Sequence, residues 1–521
     1  MKYECIDLAK TGFFSSLFID YLSGKPELSE FYQNKPDLDS IDAQIDLKKY
    51  FSEEFRSTLH HALGNQYQGF DVSSAVKDNI SSIQNSKTFT VTTGHQLNLF
   101  TGPLYFVYKL ISTINLAKKL NEQHPEYHFV PVYWMASEDH DFAEINHFNL
   151  FGKKYEWQTD QKGMVGEFKL DDIQTLMNEL PEKHEIFTRA YCEQKNLAGA
   201  VRYYVNELFG KDGLLVIDGN DHNLKSLFTP LMKDDLTLHS ANEQVEATSK
   251  KLDGLGYKTQ VYPREINLFY VDKGLRSRIV KEEGTYKVLN TDLSFSESEI
   301  LEMLDKQPEK FSPNVVLRPL YQESILPNVA YIGGPAEVSY WLQLKGMFDY
   351  FKTPFPIVMP RNFALVLPAH MSNKLQKLDL EPKLLFKDTH TLLEDFLQEQ
   401  SGNEIKLSDD KKQLAKVFDG IVEKSKEVDK SLEGMIRAEM AKSMKSIESI
   451  EKLLKKSGEK RHEISLNQLQ KIKDKLFPDG SLQERKENLL NFYINNPNFI
   501  NELKSVFDPF NYQFYLILEN A

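Results

Sequence analysis

The chain has 521 residues, 41% of them hydrophobic and 27% charged, with a formal net charge of -13. That length allows more than one buried core, and the acidic balance argues against general nucleic-acid binding. Two cysteines, Cys5 and Cys192, exclude a disulfide framework, and neither a signal segment nor a membrane-length apolar run is seen, so the expectation is a cytoplasmic protein with no membrane partner.

Residues 1 to about 86 read as polar helices with apolar clusters such as Phe13-Phe14 and Leu17-Phe18. A β/α alternation follows. Strands are expected at Thr88–Thr93, His128–Tyr133, Leu214–Ile217, Lys258–Tyr262, Leu268–Val271, Val315–Leu317, Val329–Ile332 and Ile357–Met359, with helices such as Leu104–Leu120 and Val338–Phe351 between them. Strands alternating with helices predict an α/β fold with a parallel, Rossmann-like sheet. Two strand-to-helix units look alike: Gly102-Pro103 precedes one helix and Gly333-Gly334-Pro335 the other. Proline suits the first helical position, and two such units fit the halves of a sheet that meet at a switch point. The stretch from about 150 to 310 is too long for a crossover and is expected to hold inserted connecting subdomains, including a β-rich piece over Lys258–Val288.

From Lys411 to Lys456 the chain has no proline and many Lys and Glu. Leu414, Phe418, Ile421, Ser425, Val428, Leu432 and Met435 step by four and three, as a heptad seam does. The seam shifts phase near Met440 and continues through Met444, Ile447 and Leu454, with Ser457-Gly458 expected to break it. Ile464, Leu466, Leu469, Ile472 and Leu476 predict a shorter returning helix, stopped by Pro478-Asp479-Gly480. The expected organisation is a core over 1–395, an antiparallel coiled-coil arm over 396–480, and a strand-like tail over 481–521 that packs back on the core. The seam is longer than its return helix, which predicts a homodimer through the arm.

Three polar clusters fall at carboxyl ends of strands, where open α/β sheets bind ligands. The first is His95, Gln96 and Asn98 with Thr101-Gly102-Pro103 and Tyr105, and Lys109 two turns along the helix. A helix N-terminus behind a polar loop suits phosphate or carboxylate; alternatively Asn98 and Thr101 only cap the helix. The second is Glu138, Asp139, His140 and Asp141, then Glu144 and His147. If the chain is helical from Asp139, then His140, Glu144 and His147 share a face, suited to acid/base work or to a metal. No cysteine is near and the spacing matches no zinc pattern, so the expected metal is none. The third is Arg318, then Gly333, Gly334, Glu337, Ser339 and Tyr340, with Arg361 after the last strand. Arg318 and Arg361 suit a bidentate grip on a carboxylate or phosphate, while Glu337 alone would complement a helix dipole. No G-x-G-x-x-G follows a strand and no G-x-x-x-x-G-K-[ST] occurs, which disfavours a classical NAD or Walker site. Lys442-Ser443-Met444-Lys445-Ser446 lies inside the heptad helix and reads as coil surface, not as a synthetase lysine-serine loop.

Taken together, Thr93-Gly94-His95-Gln96-Leu97-Asn98, Thr101-Gly102-Pro103-Leu104-Tyr105, Trp134–Asp141, Leu317-Arg318-Pro319, Gly333-Gly334-Pro335-Ala336-Glu337 and Pro360-Arg361 resemble the cysteine-adding ligase family of bacillithiol biosynthesis along the whole chain. The resemblance implies a Rossmann-like core with connecting-peptide insertions, a coiled-coil arm used for dimerisation, and addition of cysteine to glucosaminyl-malate as the last pathway step. It also implies a nucleotide site (ATP or ADP) that no motif locates. On that reading the cysteine carboxylate is activated as an acyl phosphate or adenylate and the amino-sugar amine attacks it. His95 and the helix start at Pro103 would stabilise charge at the phosphate, Asn98 would belong to the catalytic set with His95, Glu138, Asp139 or Asp141 would orient or deprotonate the amine, and Gln96, Gly102, Tyr105, His140, Arg318, Gly333, Gly334, Glu337 and Arg361 would bind substrate. Cys5 and Cys192 cannot supply a cysteine-ligated zinc, so a thiol-selecting metal would fall to His140, Glu144 and His147. Two rivals remain: a nucleotidyltransferase or hydrolase on the same sheet edge, and a non-catalytic coiled-coil scaffold.

Overall fold

The computed structural model describes residues 1–401 and 407–519; residues 402–406 of the expected arm and 520–521 of the expected tail lie outside them. The core is a five-stranded, all-parallel sheet in the order Ile357–Pro360, Asn328–Gly333, Thr88–His95, His128–Met135, Leu215–Asp218. The first of these strands in sequence is central. The chain steps outward twice on one side and then returns to the other, so Thr88–His95 and Asn328–Gly333 flank a switch point. These strands are buried on both faces, which is why they read as near-continuous apolar and threonine runs. The threonines are satisfied across the sheet. Thr90 and Thr92 donate to Asn328 Oδ1 at 3.1 and 2.8 Å, and Thr93 donates to the Ile332 carbonyl at 2.8 Å. An unpaired hydroxyl there would cost a few kcal/mol, about 1–3 by mutational measures.

Insertions enlarge two connections. One, between His128–Met135 and Leu215–Asp218, holds the hairpin His147–Leu150/Lys153–Glu156 and several helices. The other precedes Asn328 and holds an antiparallel sheet ordered Ser294–Phe295, Thr285–Val288, Leu275–Glu282, Leu268–Asp272, Phe311–Pro313. The core strand Leu215–Asp218, expected at Leu214–Ile217, runs within the stretch that holds the insertions.

Several expected elements differ. The first six residues after Met1 are a strand, Lys2–Asp7, not a helix; it pairs antiparallel with Gln513–Leu518, which runs parallel to Phe363–Leu367. Lys258–Tyr262 is extended but unpaired, because the Gln343 side chain takes the N–H groups of Gln260 and Val261 at 2.7 and 3.1 Å. Val315–Leu317 opens the helix Leu317–Ile325: Asn314 Oδ1 accepts from the N–H groups of Val316 and Leu317 at 2.8 and 3.2 Å and starts the turn.

The arm is a hairpin, but it turns earlier than expected. The helix Ser408–Val428 stops at Asp429, whose carboxylate accepts from the Ser431 N–H at 2.8 Å. The chain then reverses into Glu433–Arg461, which passes through Ser457-Gly458 unbroken, and Glu463–Leu476 follows. The seam thus folds on itself across residues 429–432, so an excess of seam over return helix no longer argues for a dimer. No helix among the described residues is long and apolar enough to cross a membrane.

Candidate active site

At the switch point lies a cavity of about 690 Å³. Its floor is Gly94, His95, Gln96 and Trp134–Ala136; one wall is Pro335–Glu337 with Arg361, and the inserted antiparallel sheet supplies the other through Phe269, Arg276 and Arg278. Ligand sites at this place follow from the topology.

His95 is fixed from two sides. Its ring stacks on Phe106 at 5.0 Å and meets Tyr105 edge-on at 5.4 Å. Asn98 Nδ2 lies 2.7 Å from Nε2. With that amide donating, Nε2 is the acceptor and the proton sits on Nδ1. Burial, then the positive charges of Lys109 and Arg361, hold the imidazole well below its ordinary value. His95 is therefore a neutral ring with one free N–H donor.

The loop behind it is strained. Phe100 and Thr101 have φ of 49° and 70°, and Gly102 has φ 58° with ψ -139°, a region open to glycine alone. A Cβ on Gly102 would stand 2.4 Å from Asn98 Cβ. Asn488 Nδ2 donates to the carbonyls of Phe100 and Gly102, both at 2.7 Å, and Tyr204 donates to the Asn98 carbonyl at 2.8 Å. Asn98 and Gly102 do not line the cavity; they position His95. Pro103 is not the first helical residue. It bridges to Asn488, and the helix Tyr105–Gln123 begins two residues later, with the Leu104 N–H already bonded to the Glu487 carbonyl at 2.8 Å. The tail thus covers the helix start where phosphate was expected.

The acidic cluster divides. Asp139 lines the cavity and accepts from Gln96 Nε2 at 2.7 Å and from the His140 N–H at 2.7 Å. Burial works against its charge, yet Gln96, Arg276 and the backbone N–H groups outweigh burial and hold its carboxyl below the usual range. Glu138 lines the cavity but is paired with Lys225 Nζ at 2.5 Å, a fully buried cation absent from the sequence reading. Asp141, expected to be catalytic, is exposed and does not line the cavity. The only helix here is Phe142–Ile145, so His140, Glu144 and His147 do not share a face: His140 Nδ1 meets Arg276 at 2.6 Å, Gln96 donates to Glu144, and His147 opens a strand and contacts Asn146. Among the described residues, no group of three or more His, Cys, Asp or Glu is arranged to hold a metal ion.

Pro335 is the first residue of its helix, and Glu337 reaches back to accept from the Gly334 N–H at 3.1 Å. Its other oxygen takes Lys109 Nζ at 2.7 Å, and Lys109 also donates to the Gly94 carbonyl at 2.5 Å. Gly334 lines the cavity; Gly333 lies behind it and accepts the Arg361 N–H at 2.9 Å. Arg361 is buried, with Nη2 on Glu484 at 2.5 Å and Nη1 on the Asn362 carbonyl at 2.9 Å, while its Nε has no hydrogen-bond partner. Arg318 does not follow a strand; it sits in the first turn of Leu317–Ile325. Its Nη1 donates to Gln322 Oε1 at 2.9 Å, while Nη2 is buried without a partner.

Sequence reading missed Arg264, Arg276, Arg278 and Arg485. Seven cations line the cavity (Lys109, Arg264, Arg276, Arg278, Arg318, Arg361, Arg485) against three carboxylates, Glu138, Asp139 and Glu337. Arg264 and Arg278 carry no ion pair or side-chain hydrogen bond among the described residues. In a chain of net charge -13, such a pocket selects anions. Arg276 and Arg278 alternate on one strand, the only local signal that they share a face.

Residues 1–362 match the family model for the N-terminal Rossmann-like domain of bacillithiol biosynthesis BshC, and residues 364–519 match the C-terminal coiled-coil domain of the same family. A Flavobacterium psychrophilum protein named "Putative cysteine ligase BshC" is 44% identical, covering 99% of both chains. Proteins of the same name from Christiangramia forsetii and Chlorobaculum tepidum are 40% and 31% identical, over 99% of both chains and over 100% and 99% respectively.

Proposed function

The chain belongs to the bacillithiol biosynthesis BshC family, and we propose that it is a cysteine ligase joining the carboxyl group of cysteine to the amino group of glucosaminyl-malate, in the last step of that pathway. The observation that carries this reading is the convergence, in one switch-point cavity, of a neutral imidazole donor, a carboxylate held charged and several cations without partners.

Each group has a task in amide formation. His95 Nδ1–H donates to the carboxyl oxygen on which charge develops as the amine adds, and Asn98 keeps the ring in that tautomer. Asp139 stays ionised beside Gln96, so it orients the incoming amine and takes up its proton as the C–N bond forms. Arg318 and the unpaired Arg264 and Arg278 hold the malate carboxylates. Glu138 is neutralised by Lys225 and supports the wall without accepting the proton. An activating nucleotide would turn one carboxylate oxygen of cysteine into part of a departing phosphate or nucleoside monophosphate, so that this C–O bond breaks as the C–N bond forms, and the same cations suit its phosphates. The reaction belongs to the cytoplasm, where free cysteine and ATP are at hand.

Incubation with cysteine, glucosaminyl-malate and ATP, followed by mass spectrometry, should yield the amide. Nucleotide turnover without the amide would favour the nucleotidyltransferase or hydrolase reading. The homodimer belongs to the same proposal. The hairpin leaves Ile450, Leu453 and Ile464 half or more exposed, and Ile450→Glu with Leu453→Glu should give monomers in sedimentation. An unchanged dimer would put the interface elsewhere.

A further inference from the structure

A buried polar chain links Arg318 to the strand that carries His95. Arg318 Nη1 donates to Gln322 Oε1 at 2.9 Å, and Gln322 Nε2 donates to Glu323 Oε1 at 2.9 Å. The same Glu323 oxygen accepts from Asn328 Nδ2 at 2.7 Å, and Asn328 Oδ1 takes the hydroxyls of Thr90 and Thr92. Glu323 Oε2 faces Lys48 Nζ at 3.4 Å, and Lys48 also donates to the Glu323 carbonyl at 3.0 Å. Gln322, Glu323, Asn328 and Lys48 are all buried.

A primary amide has one donor end and one acceptor end. If Gln322 presented its NH₂ to Arg318, two donors would oppose each other in a dry site, and both would go unsatisfied. Glu323 Oε1 prevents this. It is an acceptor oxygen that takes the NH₂ of Asn328 as well as that of Gln322, and so it fixes both amides. It therefore takes the NH₂ of Gln322 and leaves the carbonyl oxygen for Arg318. The guanidinium is then held through Nη1, beside Tyr340, in the wall of the cavity.

We propose that Gln322 and Glu323 are positioning residues: Glu323 sets the direction of the Gln322 amide, and Gln322 holds the Arg318 guanidinium in the cavity wall, where its charge faces an anionic group of the substrate. The inference rests on the role given above to Arg318.

The test is steady-state kinetics on the intact protein with glucosaminyl-malate varied at saturating cysteine and ATP. Gln322→Met keeps the volume and removes both ends of the amide. It should raise KM for glucosaminyl-malate about tenfold, the scale of one hydrogen bond to a charged group, with a smaller effect on kcat. Arg318→Lys should raise KM at least as much, and the double variant should be no worse than Arg318→Lys alone, since the amide then has nothing to hold. Glu323→Gln should act in the same direction; if it fails to fold, Gln322→Met carries the test. A silent Gln322→Met beside a damaging Arg318→Lys would overturn the relay and leave the site intact. Additive effects in the double variant would also overturn it. A silent Arg318→Lys would remove the role of Arg318, and the relay with it.

Discussion

The two strand-to-helix loops that flank the switch point look alike in sequence and are built differently. Gly333-Gly334-Pro335 is self-supporting: Gly334 has φ -75° and ψ 173°, Pro335 starts the helix, and Glu337 caps it from within. Asn98–Gly102 instead runs through three positive φ angles and is held in place by Asn488 and Tyr204, far away in sequence. One loop is ordered by local chemistry. The other is ordered by tertiary contacts that over-determine a strained backbone, and it is the one that carries His95. Strain kept at a site in this way places a side chain where local propensity would not.

The comparison can be broken by substitution. Gly102→Ala should cost about 3 kcal/mol or more, because it combines a backbone open only to glycine with a clash against Asn98. Urea unfolding measures it, and a loss no larger than that of Gly334→Ala would erase the distinction between the loops. Asn488→Ala should cost about 2 kcal/mol, since it leaves the carbonyls of Phe100 and Gly102 unpaired in a buried place, and it should lower activity although Asn488 does not line the cavity. A smaller effect comes with pH. The folded value of His95 is depressed, so below pH 6.5 the unfolded chain binds the proton first, and stability falls as pH falls from there. His95→Gln should flatten that slope, and an imidazole that titrates near 6.5 in the folded protein would contradict the neutral donor. Smallest of all is Gly334→Ala, expected within about 0.5 kcal/mol of wild type because nothing but Arg361 Nε, at 3.9 Å, meets the new Cβ.

What the sequence disclosed follows the same division. The five core strands and the Pro335 helix start were legible, because burial on both faces writes long apolar runs and capping writes Gly-Pro-x-Glu. The strand Lys2–Asp7 was not, since its partner lies some five hundred residues away and its own residues are mostly exposed. The arm's turn at Asp429 was hidden by a periodicity that continues across it, with no glycine or proline to mark it. Short apolar runs such as Val315–Leu317 do not distinguish a strand from a helix start. Within the site, His95, Gln96 and Asp139 stood out by position after a strand, and Arg318 by an expected strand that the fold replaces with a helix start; all four line the cavity. Lys225, Arg278, Arg485 and Asn488 had no such marker; only the fold brings them to the switch point.

The central claim is that a neutral His95, fixed by Asn98, donates to the reacting carboxyl group in the switch-point cavity. The direct measurement is the rate at which cysteine and glucosaminyl-malate are joined by wild-type protein, His95→Gln and His95→Ala. Loss of one preorganised donor costs on the order of 100- to 1000-fold, so His95→Ala should lose about that much, with His95→Gln, which keeps an N–H, falling between it and wild type. Wild-type rates in His95→Ala, with the fold intact, would contradict the account.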